Sequence, residues 1–99
     1  MNETAATRAP IGADLQGKRA IVTGGATGIG KAIATALARH GVRVAIADLD
    51  EAAAVTVAGE LGSDHMGLAI DVRRREAVEE SFSKVLDAWG GYDILCAHA

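Results

Sequence analysis

Aromatic side chains are nearly missing: one Phe, one Trp and one Tyr make up 3% of a 99-residue chain that is 49% hydrophobic. Its apolar content is therefore largely alanine and β-branched aliphatics, which suits close packing of helices on a sheet. A single cysteine, Cys96, excludes an internal disulfide and fits a reducing compartment. No excess of basic charge is present, since ten Lys and Arg stand against thirteen Asp and Glu for a formal charge of -3. The footprint expected of a nucleic-acid binder is thus absent. No apolar run approaches the roughly 20 residues of a membrane helix, and the start "MNETAATRAPIGADL" lacks the apolar segment of a signal peptide. The expectation is a soluble cytoplasmic protein with neither a nucleic-acid nor a membrane partner. His40 and His65 are isolated, with no Cys, His or carboxylate at ligand spacing, so no metal site is expected.

What is present is an alternation of strand and helix signals. Residues 1–14 are small and polar, contain the only proline, Pro10, and read as a mobile arm, with order beginning near Leu15. "KRAIVTG" from Lys18 reads as a first buried strand. Ile29, Ile33, Ala36, Leu37 and His40 then follow helical spacing, with Gly41 placed for a left-handed C-terminal cap. Val42–Asp48 predicts a second strand, and Asp50 an N-cap for "EAAAVTVAGEL", which Gly62 ends. His65–Asp71 predicts a third, weaker strand. Val78, Phe82, Val85, Leu86 and Trp89 mark a helical stripe stopped by Gly90 and Gly91, which makes Trp89 and Phe82 core residues first. Tyr92–Ala99 predicts a fourth strand, with Cys96 as a small buried hydrophobe inside it.

This order implies an α/β fold of Rossmann type, a doubly wound parallel sheet with helices on both faces and right-handed crossovers. Ligands in such folds lie at the carboxyl ends of the strands, near the switch in strand order. The residues to examine are therefore Thr23 to Gly30, Asp48, Asp71 with Val72, and Ala97 to Ala99.

"TGGATGIGKA", Thr23 to Ala32, admits two parses as a phosphate loop. Read from Gly25, Gly25-x-x-x-x-Gly30-Lys31 is nearly a triphosphate loop, but Ala32 lacks the hydroxyl that such a loop needs for magnesium. Read from Gly24, the glycines at 24, 28 and 30 form a dinucleotide turn. There a side chain at Gly24 or Gly28 would block the turn or keep phosphates off the backbone, and Gly30 lets helix approach strand. That parse needs an acid about 20 positions on, at the end of the second strand, to accept hydrogen bonds from the adenosine ribose. Asp48 stands there. Asp48 also repels a 2′-phosphate, and Leu49 and Thr27 offer no cation to hold one, so NAD is expected over NADP. The plainer alternative is that Asp48 only caps a turn together with Asp50.

These residues resemble the short-chain dehydrogenase/reductase family, whose loop Thr-Gly-x-x-x-Gly-x-Gly is matched in full by Thr23-Gly24-Gly25-Ala26-Thr27-Gly28-Ile29-Gly30. The resemblance runs from about Lys18 to Ala99. It implies that Asp48 is the ribose-binding acid, that Asp71 and Val72 hold the adenine ring, and that Gly24, Thr27, Gly28, Ile29, Gly30, Leu49, His98 and Ala99 complete the cofactor site. Where the family has Asn-Asn-Ala-Gly, this chain has Ala97 and His98 before Ala99. His98, able to donate and accept through its two ring nitrogens, is expected to replace the second asparagine as a structural or cofactor-wall residue; acid-base catalysis is the sharper alternative. Asp71 is also expected to cap a helix beginning near Arg73, with Arg73, Arg74 and Arg75 in its first turn on a solvated face.

The family's catalytic Ser and Tyr-x-x-x-Lys lie beyond the fourth strand. Tyr92, followed at the lysine position by Cys96, does not match them. The expectation is the cofactor-binding half, residues 15–99, of a longer NAD-dependent enzyme that interconverts a secondary alcohol and a ketone and forms a homotetramer through later helices. The 99 residues alone are expected to be inactive. The alternatives are a nucleotide-binding module without chemistry and a triphosphate-binding protein.

Overall fold

The computed structural model describes residues 15–98; the expected arm 1–14 and the candidate Ala99 lie outside them. Strands and helices alternate as β1 (Arg19–Thr23), α1 (Gly28–Arg39), β2 (Arg43–Asp48), α2 (Glu51–Leu61), β3 (Met66–Ala69), α3 (Arg75–Trp89) and β4 (Ile94–Ala97). The four strands form one parallel sheet in the order β3-β2-β1-β4, with Ile21 opposite both Ala45 and Leu95. The order reverses between β1 and β4, which places the switch crevice at their carboxyl ends.

Buried strands alternate their side chains between two cores. Ala20, Val22, Val44 and Ile46 meet Ala34 of α1 and Ala54, Val57 and Ala58 of α2 on one face. Ile21, Ala45, Ala47, Leu68 and Ile70 meet Val85 of α3 on the other. Burial on both faces accounts for the unbroken apolar runs of β1 and β2. Alanine and glycine let the layers approach: a Cβ at Gly67 would run into the backbone of Ala54 and Val55, so α2 lies directly on β3. At the amino ends of the strands, Arg19 clasps the chain. Its guanidinium donates to Asp93 through Nε (3.2 Å) and to the Trp89 carbonyl through Nη1 (3.1 Å), while its own N–H reaches Asp93 Oδ2 at 2.9 Å.

Helix ends follow the sequence signals in α1 and α2. Gly41 is left-handed at φ +82, and Asp50 accepts the Ala53 N–H at 3.1 Å as N-cap of α2. Three expectations are corrected. The buried line of α1 is Gly30 and Ala34, whereas Ile29, Ala36 and His40 are exposed, because the helix meets the sheet along its small residues. Leu86 likewise faces solvent, and buried Ser81 takes a place in the α3 interface by donating to the Ala69 carbonyl at 2.6 Å. Cys96 is half-buried, packed against the first core.

The third strand starts one residue later than predicted because His65 leaves the ladder and substitutes for it. Its Nδ1 accepts the Val44 N–H at 3.0 Å, one residue before the β2–β3 pairing begins at Ala45 and Met66. That bond requires an unprotonated Nδ1. Burial pushes the imidazole pKa down from 6.5, as does Arg43, while Asp64 acts in the opposite sense. A group depressed in the folded state contributes stability that is complete above its unfolded pKa and is lost as pH falls through the folded value. The melting temperature should therefore hold above 6.5 and decline below it, and His65→Ala should lower the plateau and flatten that first decline. A His65→Ala protein with an unchanged pH profile in thermal melts would show that the bond to Val44 contributes nothing.

Candidate functional site

Three backbones converge at the crevice between β1 and β4. Gly24 follows β1 at φ +66, and a Cβ there would overlap the carbonyl oxygen of His98; a Cβ at Gly30 would overlap the carbonyl of Gly24. The turn, the first turn of α1 and the end of β4 thus stack without intervening side chains. Thr23 fastens the contact, its Oγ accepting the His98 N–H at 2.9 Å and donating to the His98 carbonyl at 3.3 Å. A side chain at Gly24 is thus excluded by the approach of β4. Gly28, at φ +59, has open space where its Cβ would lie, and remains the position at which an anion can approach the backbone.

The start of α1 is prepared for negative charge. Its N-cap Thr27 makes no side-chain capping bond and its first turn holds no acidic residue. By contrast α2 uses Asp50 as cap with Glu51 beside it, and α3 carries Glu76 in its first turn. The leading N–H groups of α1 and the positive end of its dipole therefore have no anionic side chain of their own. Lys31 turns away from the loop, its Nζ 3.9 Å from Glu60 of α2, which is not the disposition a triphosphate loop requires.

A cleft of about 310 Å³ opens over this turn. Thr27, Gly28 and Ile29 border it on one side, Asp48 and Leu49 on the next, Ile70 and Val72 beyond, with Gly24 and His98 on the side of β4. Ile29, Leu49 and Val72 are 65%, 67% and 51% exposed, and these three apolar side chains that the cores leave out are walls of this cleft. Asp48 has a structural duty as well: Oδ2 accepts the Ala26 N–H at 3.1 Å and Oδ1 the Asp50 N–H at 3.2 Å. Turn-capping is therefore real, and it fixes the carboxylate at the cleft edge with acceptor positions to spare on both oxygens. The His98 imidazole lines the cleft while its Nδ1 is buried without a hydrogen-bond partner, an arrangement that carries a cost unless a partner is supplied.

One candidate among the described residues, Asp71, stands apart from the cleft, and Gly30 serves it only from beneath. Asp71 borders a neighbouring cleft of about 210 Å³ with Arg74, Ala77 and Lys84, joined to the first through Leu49 and Ile70. Nor does Asp71 cap α3, whose N-cap is Arg74. Its carboxylate is instead taken by Arg73, through Nε at 2.9 Å and Nη2 at 3.0 Å, and this hydrogen bonding is the main reason its pKa falls to about 2. Only Arg75 of the three arginines lies within the helix. Ile70 is the wall residue that sequence reasoning passed over; its alternation with Leu68 before Asp71 was the available signal. Tyr92 packs edge-on against Phe82, centroids 5.6 Å apart, at the opposite end of β4.

The chain is similar to known proteins over most of its length. The family model described as short chain dehydrogenase matches residues 18–99. Sorbitol dehydrogenase of Cereibacter sphaeroides is 44% identical over 85 residues, covering 86% of this chain and 33% of that protein. The sex determination protein tasselseed-2 of Zea mays is 41% identical, covering 99% of this chain and 30% of that protein. D-threitol dehydrogenase of Mycolicibacterium smegmatis is 44% identical across 82% of this chain and 32% of its own length. Among solved structures, 3-ketoacyl-(acyl-carrier-protein) reductase from Brucella melitensis, complexed with NADH, superposes with a TM-score of 0.79 at 37% identity, covering 82% of this chain and 33% of that one. The chain spans about a third of the length of these relatives.

The two left-handed glycines of the loop should respond differently to a methyl group. Gly24→Ala adds both strain and overlap with the His98 carbonyl, and should cost roughly 2–4 kcal/mol. Gly28→Ala meets open space and should cost only the strain, about 1 kcal/mol. Urea unfolding of the two variants measures the difference, and equal losses would contradict the close approach of β4.

Proposed function

The chain belongs to the short-chain dehydrogenase family, and from that premise we propose that its protein is an NAD-dependent oxidoreductase interconverting a secondary alcohol and a ketone. The observation that carries the reading is one cleft with an uncapped helix start on one side and a fixed carboxylate on the other. Those two features suit the pyrophosphate and the adenosine ribose of a dinucleotide. The NADH in the Brucella melitensis reductase supports the same cofactor class.

When bound, the cofactor supplies the hydride acceptor or donor. In this reading the chain's own residues bind and orient it. The N–H groups that open α1, exposed by Thr27, Gly28 and Ile29, hold the pyrophosphate. Asp48 accepts from the ribose hydroxyls through the positions left free by Ala26 and Asp50. Its negative charge, next to Leu49 rather than a cation, disfavours a 2′-phosphate and so favours NAD over NADP. Leu49, Ile70 and Val72 give the adenine an apolar wall and Asp71 an acceptor. His98 closes the side toward β4, with Gly24 and Gly30 shaping the floor.

No residue of this chain is assigned a catalytic role, and the 99 residues alone are proposed to bind without turnover. The names of the sorbitol and D-threitol dehydrogenases and of the ketoacyl reductase support an alcohol or ketone substrate. No helix of the described residues is long and apolar enough to cross a membrane. A cytoplasmic homotetramer completes the proposal.

Asp48→Ala should weaken NAD binding about tenfold, the loss of hydrogen bonds to a charged acceptor, and should narrow the preference for NAD over NADP. Because Asp48 also ties the loop, the selectivity ratio from calorimetric titration is the informative quantity. An unchanged ratio would remove Asp48 from cofactor discrimination.

A further inference from the structure

On the face of the sheet away from α3, a separate cleft of about 360 Å³ lies between the carboxyl-terminal halves of α1 and α2. Thr35, Ala38 and Arg39 of α1 line one side, Glu60 and Leu61 of α2 the other. The ion pair beside it is loose: Lys31 Nζ stands 3.9 Å from Glu60 Oε1, with both side chains about half exposed. The end of α2 lacks a cation. Its last turn carries Glu60 and no basic residue, although the negative end of a helix dipole favours positive charge. The chain also enters the fold at this place. Leu15, Ala38 and Leu61 pack against the same first core, and the last two are walls of the cleft. Just after Leu15, the Gly17 N–H donates to the Gly41 carbonyl at 2.9 Å, which holds the entering chain against the end of α1.

We infer that this cleft is the docking groove for residues 8–14 of the same chain, with Arg8 paired to Glu60 and Ile11 set against Ala38 and Leu61. The segment reads "RAPIGAD" and runs directly into Leu15. Arg8 is the one Lys or Arg among residues 1–14, and it supplies the charge that the end of α2 lacks. Ile11 is the one large aliphatic side chain between Arg8 and Leu15, while Ala9, Gly12 and Ala13 are small enough to lie over Thr35 and Ala38. Pro10 fixes its own φ and keeps the residue before it extended, as a segment laid along a groove requires. Reach is not limiting. The seven steps from Leu15 to Arg8 span at most about 24 Å, whereas the wall from Arg39 to Thr35 rises about 6 Å. Docked in this way, the segment straps α1 to α2 at the end opposite the cofactor cleft. The inference does not depend on what that cleft binds.

The test is limited trypsin digestion of the whole protein, with initial release of the peptide ending at Arg8 followed by mass spectrometry beside a synthetic peptide of residues 1–15. Cleavage of a docked segment tracks the fraction undocked, so release from the protein should be about tenfold or more slower than from the free peptide. Glu60→Gln removes the partner of Arg8 without adding a cleavage site. It should speed release about fivefold, the upper range for one exposed ion pair, with an unchanged circular dichroism spectrum. Lys31→Gln, which frees Glu60 from its neighbour on α1, should leave release as slow as in the wild type. Release from the wild type as fast as from the peptide overturns the inference. So does a Lys31→Gln protein that speeds up as much as Glu60→Gln, because Glu60 would then act through the tie between the helices. Protection that grows with protein concentration would put the segment of a second copy in the groove, and overturns the assignment to the same chain.

Discussion

The site depends on how closely three backbones can approach where β1 ends. Gly24 faces the His98 carbonyl and Gly30 faces the Gly24 carbonyl, each with no room for a Cβ. Those two omissions let β4 draw alongside β1 at its carboxyl end while α1 sets off directly above. The Thr23 hydroxyl, bonded to both the N–H and the carbonyl of His98, makes the juncture a polar contact that satisfies backbone groups. Widening it would shift the floor of the cleft, the direction of α1 and the His98 wall together.

The two ends of the sheet are held by different means. At the amino ends, Arg19 reaches Asp93 and the Trp89 carbonyl with its own side chain, tying β1 to the connection between α3 and β4. At the carboxyl ends the short side chains of Thr23 and Asp48 grip backbone groups, leaving polar groups of the loop and of Asp48 in reach of a ligand. Small residues between them let helices sit directly on strands, as α2 does over Gly67. A core with so few rings is thin, and the larger apolar side chains outside it, Ile29, Leu49 and Val72, form a cleft wall.

Much of this was legible in the sequence, and the exceptions have identifiable causes. The apolar runs of β1 and β2 were readable because strands buried on both faces leave no polar interruption. The glycines of the loop and the acid at position 48 were readable because their spacing reflects a turn, a helix start and a second strand of fixed lengths. Helical spacing through Ile29, Ile33 and Leu37 marked α1 as a helix but not its contact line, which runs through the small residues Gly30 and Ala34. The start of β3 depended on His65 replacing a ladder acceptor with its ring nitrogen, a substitution that no periodicity records. Asp71 had the right residue type for an N-cap, but a neighbouring guanidinium competed for its oxygens, and α3 began later. The cleft joins most of the expected cofactor residues.

The carboxylate of Asp48 bridges two loops, receiving Ala26 from the glycine turn and Asp50 from the start of α2. A residue proposed to choose the ligand is thus also a latch that shapes the surface on which the ligand would rest. Such a coupling restricts the mutational routes open to descendants of this sequence. Any lineage drifting toward a more heavily phosphorylated cofactor would have to find a new acceptor for two backbone amides in the same period that it acquires a cation. Replacement of Asp48 would have to follow a compensating change elsewhere in the turn, so that the order of substitutions, and not only their identity, is constrained by this one side chain.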